Sequence, residues 1–351
     1  MRLYLTRNYK LRNVTFFCIV GTVAGTVIGI LLQEIDKVDN FRPTFNGLFI
    51  GFFVGIVIGL CEEFLFLDRF RTKTYLFLLL FRTFVYSFVF AFFILFVNSS
   101  TKFLTKNQSF QDSLYSSLFE EHYFRDLLIA IIFASVIIAL LQIRRLHRPG
   151  DLIKYITGKY HRPEEITKIF LFIDLKSSTS IAEKLGNLRY SKFLIDYYDD
   201  MTDAILMSGA EIYQYIGDEI VLTWPFKEGI KDAKCIHCFF DIRNTMELNK
   251  ERYLKKYGVY PQFKAAMHAG SVSVTWIGTI KKEVAYHGDV LNTTARIQDE
   301  CNKYNQFFLI SEYMLKSLKL PEHLKSEFVG EHQLKGKLEK VKIFGLKGIA
   351  E

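Results

Sequence analysis

The rhythm of apolar and polar positions changes once along the chain. Before about residue 143, four apolar runs at about 14–32, 46–66, 74–97 and 126–143 are each long enough, as helices, to cross a hydrocarbon layer. Beyond it, short apolar runs alternate with stretches of helical period. The pattern predicts an α-helical membrane domain of four spans over 1–143, a cytoplasmic linker over 144–167 and one globular domain over 168–351. Pro149-Gly150 stops the fourth span, and a short helical piece is expected at 151–159.

In the second half, Lys168-Ile-Phe-Leu-Phe-Ile reads as a strand buried on both faces. It ends in Asp174, and a helical pattern follows over about 180–207, interrupted near Gly186-Asn187. Glu211 to Trp224 reads as two strands around a turn at Gly217-Asp218. One long helix is expected over 228–256, strands at 263–277 and 282–286, a helix at 289–301 and a strand at 307–310. Two last strands are expected near 327–335 and 340–346. Strands and helices alternate without a simple repeat, so a mixed sheet is expected.

Composition sharpens the first half. The 351 residues are 50% hydrophobic with 34 Phe, concentrated before residue 143, and the formal net charge is +8. The basic residues cluster beside apolar runs, which points to positive-inside loops rather than nucleic-acid binding. Arg2, Arg7, Lys10 and Arg12, then Arg69, Arg71 and Lys73, then Arg144, Arg145 and Arg148 fall on one side of the four spans. Both termini are therefore expected in the cytoplasm, with the protein in the inner or plasma membrane. No cleavable signal peptide is expected, since the first run is too long and lacks a small-residue cleavage site.

Glycines at 47, 51, 55 and 59, and at 21, 25 and 29, form stripes that let helix backbones approach closely, within the chain or between chains. Arg82 lies inside the third span, and a structural pair with Glu62 or Glu63 is expected rather than a transport site. The five cysteines make no disulfide framework; Cys235-x-x-Cys238 lacks a second ligand pair for zinc.

Candidate chemistry gathers in the second half. Asp174 stands at the carboxyl end of a strand, where open sheets place ligands. Ser177, Ser178 and Thr179 follow at a helix start, whose free N–H groups attract phosphate. Asp218 sits on the hairpin turn, and pairing of that hairpin with the first strand brings it beside Asp174. Two such acids repel unless cations lie between them, which suits two Mg²⁺ ions working on a nucleoside triphosphate. Asn292 and Arg296, four apart on a helix, share a face that could hold a sugar and an oxyanion. Lys335 beside Gly336 could reach a phosphate.

These stretches together resemble the class III nucleotidyl cyclases, the membrane-anchored adenylate and guanylate cyclases. The motifs are F-x-D-L-x-x-S-T at 172–179, I-G-D-E at 216–219, G-x-x-x-N-x-x-x-R at 288–296 and L-K-G at 334–336, within 168–346. The resemblance implies an α/β ferredoxin-like domain with a mixed, mostly antiparallel sheet, working as a homodimer with sites at the subunit interface. It implies Asp174, Asp218 and the Leu175 carbonyl as holders of two Mg²⁺ or Mn²⁺ ions. It implies Asn292 as the ribose-positioning residue, Arg296 as the transition-state arginine and Lys335 as the triphosphate lysine. The implied reaction is in-line attack of a ribose 3′-hydroxyl on the α-phosphorus of ATP, with pyrophosphate leaving. At the two base-reading positions this chain has Gln214 and Ala285, where adenylate cyclases usually have Lys and Asp or Thr, and guanylate cyclases Glu and Cys. A Gln amide can pair with either purine; ATP is favoured because both guanylate-cyclase residues are absent.

Overall fold

The computed structural model describes residues 2–37, 41–66, 74–106, 109–119, 121–144, 151–333 and 340–348. The chain divides into two compact units, Met1–Leu146 and His147–Glu351.

The first unit is helical. Its long helices are α1 (Arg2–Ile35), α2 (Arg42–Leu60, prolonged by a π-helical turn Cys61–Phe66), α3 (Tyr75–Lys106) and α5 (Glu121–Arg144), with the short α4 (Phe110–Leu118) between the last two. Among the described residues, three stretches are long and apolar enough to cross a membrane: Asn13–Ile35, Arg42–Leu65 and Leu76–Thr105. The fourth expected span falls on α5. The glycine stripes face each other within the chain. A Cβ on Gly21 would lie 2.5 Å from the Gly51 carbonyl oxygen, and one on Gly55 2.6 Å from that of Phe17. Only glycine lets α1 and α2 meet backbone to backbone in this way.

Buried charge in this unit is matched internally. Arg82 Nη1 lies 3.1 Å from Glu62 Oε2, with both side chains under 5% exposed. The Tyr86 hydroxyl donates to Glu62 at 2.9 Å, and Asn13 donates to Glu63 at 3.0 Å. At the α1–α2 connection, Arg125 makes a two-pronged bond to Asp36 and a further bond to Asp126.

The second unit opens with α6 (Asp151–Ile156), then β1 (Glu164–Leu175), which starts ahead of the expected Lys168. Next come α7 (Ser178–Leu185), α8 (Asn187–Ser208), β2 (Glu211–Ile216) and β3 (Glu219–Pro225). The helix expected at 228–256 is three pieces, α9 (Phe226–Ile230), α10 (Lys234–Leu248) and α11 (Lys250–Tyr257). The first break comes where Asp232 and Ala233 adopt left-handed backbone angles, which apolar periodicity cannot reveal. Then follow β4 (Phe263–Ile277), β5 (Glu283–His287), α12 (Asp289–Lys303), β6 (Phe308–Ser311), α13 (Glu312–Ser317), β7 (Leu324–Gln333) and β8 (Lys340–Gly348). The short α13 was not expected, although its cap is a conventional one: the Ser311 hydroxyl accepts from the Met314 N–H.

The sheet runs β2-β3-β1-β4-β6-β8-β7, with β5 paired to β4. Every pairing is antiparallel except β4–β6, so the sheet is mixed and mostly antiparallel. Strand β1 is buried on both faces, as its unbroken apolar run requires. Ile169, Leu171 and Ile173 pack with residues of α8 and α10, such as Tyr197 and Phe239. Phe170 and Phe172 pack on the other face with Tyr213, Val221 and Tyr286. Cys235 and Cys238 both point into the first of these cores, and burial pushes each thiol up to about 12, so they are inert.

Candidate active site

Asp174 is the last polar position of β1, and its two cross-strand neighbours define its surroundings. Glu219 stands opposite on β3 and Lys264 opposite on β4. The β2–β3 turn folds back at Gly217, which has φ +63°, and brings Asp218 within hydrogen-bonding distance of Asp174. A Cβ at this φ would be strained, so the turn depends on the glycine. The Tyr198 hydroxyl of α8 donates to the Gly217 carbonyl at 3.0 Å and ties the turn to the helix face.

The electrostatics follow from this crowding. Burial and then the neighbouring Asp218 hold the Asp174 carboxyl above its ordinary range, while Lys264, 3.3 Å away, opposes the rise. Glu219 is pushed up to about 7, first by burial and then by Asp174. Three carboxylates meet here with one close ammonium, so the site has an excess of negative charge that calls for added cations.

Beside the acids lies a cleft of about 480 Å³. One wall is Asp174, Leu175, Lys176, Ser177, Ser178 and Thr179; Lys264, Asn302 and Asn305 complete it. Ser177 adopts a left-handed conformation, φ +56°, so the chain turns sharply and α7 begins at Ser178. No side chain caps this start, which leaves first-turn N–H groups available to an anion. Tyr190 pairs with the Ser178 side chain and steadies the turn.

The donor set suits a hard cation. Two carboxylates and a strand-end carbonyl, all oxygen, are the ligands that Mg²⁺ takes, with water or substrate oxygens filling the rest of its shell. Among the described residues no group of three His, Cys, Asp or Glu side chains could hold a metal by itself. The site thus fits an ion whose coordination a phosphate completes.

The remaining expected residues stand elsewhere in the chain. Asn292 is exposed near the start of α12, and Arg296 lies one turn on with its Nη1 buried and without a hydrogen-bond partner. Helix α12 meets the cleft at Asn302 and lies beside Glu219 at Gln298. Along the helix, Asn292 and Arg296 are roughly 15 Å and 9 Å from Asn302, and roughly 9 Å and 3 Å from Gln298. Gln214 stands level with Val221 across the β2–β3 ladder. Ala285 is buried on β5, on the side opposite Val284 and Tyr286, which face the aromatic core. Lys335 lies outside the described residues.

Sequence reading missed Lys264, Lys176, Glu219 and Tyr198. The strand pairing supplies Lys264, which becomes visible only when β4 is set beside β1 in register. Glu219 was hidden in plain view, one residue past Asp218.

Known proteins resemble this chain over half of its length or more. A sequence profile described as "Adenylate and Guanylate cyclase catalytic domain" matches residues 159–348. Adenylate cyclase 2 of Rhizobium meliloti (strain 1021) is 38% identical over 220 residues, 63% of this chain and 61% of the relative. An adenylate cyclase of Anabaena cylindrica is 29% identical over 184 residues, 50% of this chain and 36% of the relative. The chain thus spans less than two thirds of the length of either relative. The structure of a bacterial light-regulated adenylyl cyclase aligns with a TM-score of 0.54 at 16% identity, over 65% of this chain and 66% of that one, a likeness of fold.

Proposed function

Since the chain belongs to the adenylate and guanylate cyclase catalytic domain family, we propose that it is a membrane-anchored adenylate cyclase, forming 3′,5′-cyclic AMP and pyrophosphate from ATP at the interface of a homodimer. The observation that carries this reading is the acid pair Asp174 and Asp218 beside an uncapped helix start. Asp174 and the start of α7 line one cleft, with Asp218 next to Asp174, and carboxylates for cations beside amides for phosphates are what a metal-bound triphosphate needs. The strand order β4-β1-β3-β2, with helices in the connections, supports the reading of a ferredoxin-like core.

Asp174, Asp218 and the Leu175 carbonyl would hold two Mg²⁺ or Mn²⁺ ions. Bound there, the ions would supply Lewis-acid activation of the 3′-hydroxyl and neutralise charge on the triphosphate. The α7 amides and Lys264 bind phosphate oxygens, and Lys335 takes the same role. Arg296, with a guanidinium N–H already unpartnered, stabilises charge developing on the α-phosphoryl oxygens. Asn292 orients the ribose. Gln214 faces the base, its amide pairing with the adenine N1 and amino group.

The dimer rests on membership of the cyclase family, in which one chain holds the metal ions and its partner contributes the residues that Asn292 and Arg296 resemble. Each homodimer then carries two whole sites. Exposed Tyr215 and Ile216 beside the Asp218 turn offer apolar surface for that contact. The membrane unit anchors the enzyme by four spans, α5 being the fourth, with the basic clusters and both termini in the cytoplasm.

The test is direct: the purified 151–351 fragment with Mn²⁺ and either ATP or GTP should yield cyclic AMP from ATP. Cyclic GMP as the main product would move the assignment to a guanylate cyclase. No product from either, with nucleotide bound, would make the domain a nucleotide-binding signalling module.

A further inference from the structure

The helical unit encloses a cavity of about 390 Å³ between α1, α2, α3 and α5. Its middle is apolar, lined by Ile50, Val54, Phe90, Ile94, Ala130 and Ala134. One end is bounded by Asp36, Arg42, His122 and Asp126, and the other by Glu62 and Tyr86. Along α2, Arg42 and Glu62 lie roughly 30 Å apart, so the volume is drawn out into a long channel.

We infer that this channel is a binding site for an uncharged single-chain amphiphile, a long alkyl or acyl chain with a small hydrogen-bonding head. The apolar shaft takes the chain, because its aliphatic and aromatic lining gains dispersion contacts from methylenes. The ends settle the charge of the head. Arg125 is engaged by both Asp36 and Asp126, and Arg42 brings the formal charge of that end to balance when His122 is counted as neutral. Glu62 is neutralised by Arg82 at the other end. An ionised head would meet no net opposite charge at either end. A hydroxyl or ester finds polar partners at both; Asn46 and Asn98, bonded to each other at 2.6 Å, line the channel part-way along. The site does not depend on the reaction of the second unit, so its test stands apart from the cyclase assay.

The probe is a long-chain alcohol carrying a photoactivatable diazirine, added to the full chain in lipid nanodiscs, with crosslinks mapped by peptide mass spectrometry. Labelling of the Ile94 and Ala130–Ala134 stretches should saturate and vanish under excess unlabelled alcohol. Labelling of the outward Phe84, Phe88 and Phe92 should not saturate. Ala134→Phe, which fills the shaft, should lower the saturable labelling about tenfold. Ala130→Leu serves if that variant fails to fold, and the competition in unaltered protein needs neither. Labelling confined to the outward phenylalanines overturns the site. Equal saturable labelling by a fatty-acid or alkyl-trimethylammonium probe overturns the uncharged head.

Discussion

Both units bury charge close to apolar walls, but they balance it differently. In the helical unit Glu62 receives Arg82 and the Tyr86 hydroxyl, and Arg125 sits between Asp36 and Asp126. In the second unit Asp174, Asp218 and Glu219 gather near Lys264, and burial, then the neighbouring carboxylates, lift Asp174 and Glu219 above the usual carboxylate range. A matched pair is already at rest and holds helices together. An unmatched cluster keeps its stabilisation for something that arrives later, in the function proposed here a cation bearing phosphate. Charge inside a fold marks a functional centre when its sign is left unbalanced.

The contrast can be broken first at the acids. Asp218→Ala should leave the domain folded and remove several kcal/mol of transition-state stabilisation, about a thousandfold or more in kcat. Turnover near the original rate at saturating Mg²⁺ would show that the imbalance serves no cation. At the matched pair the reverse is expected: Arg82→Ala strands Glu62 in an apolar setting and should destabilise the helical unit by about 3–5 kcal/mol. Thermal unfolding of the full chain in detergent reads this, while the isolated 151–351 fragment keeps its activity because it lacks the pair.

The smallest effect expected is the pH dependence of the unmatched cluster. Glu219 moves from an ordinary 4.5 to about 7 in the fold. Between those values the folded chain keeps a proton that the unfolded chain has lost, so stability falls as pH rises through the window. In chelator, the melting temperature of the 151–351 fragment should therefore decline from about pH 5 to about pH 7, and Glu219→Gln should flatten the decline. An unchanged slope in that variant would place the titration elsewhere.

Much of this was legible in the sequence, for physical reasons that can be named. Strand β1 announced itself because a strand buried on both faces must be apolar throughout, and the Gly217 turn because a two-residue hairpin loop needs positive φ. A partner for Arg82 at Glu62 or Glu63 followed from the expense of a lone charge in an apolar span, and packing selects Glu62. The broken helix between Phe226 and Tyr257 was not legible, because the left-handed Asp232 and Ala233 leave the apolar spacing intact. Lys264 and Glu219 were missed because their roles come from cross-strand register, which no local pattern encodes. The channel in the helical unit is likewise a product of packing: each helix contributes small or branched residues that read, one helix at a time, as ordinary membrane sequence.

The central claim is that Asp218 and Arg296 of one chain work in different active sites. Asp218→Ala and Arg296→Ala homodimers should each be inactive. When the two variants are co-expressed, each heterodimer has one site lacking both groups and one site intact. With random pairing, half the dimers are mixed and half of their sites work, so cyclic AMP formation should return to about a quarter of the unaltered rate. No recovery, with heterodimers demonstrated by differential tagging, would contradict the shared site and return Asp218 and Arg296 to a single chain.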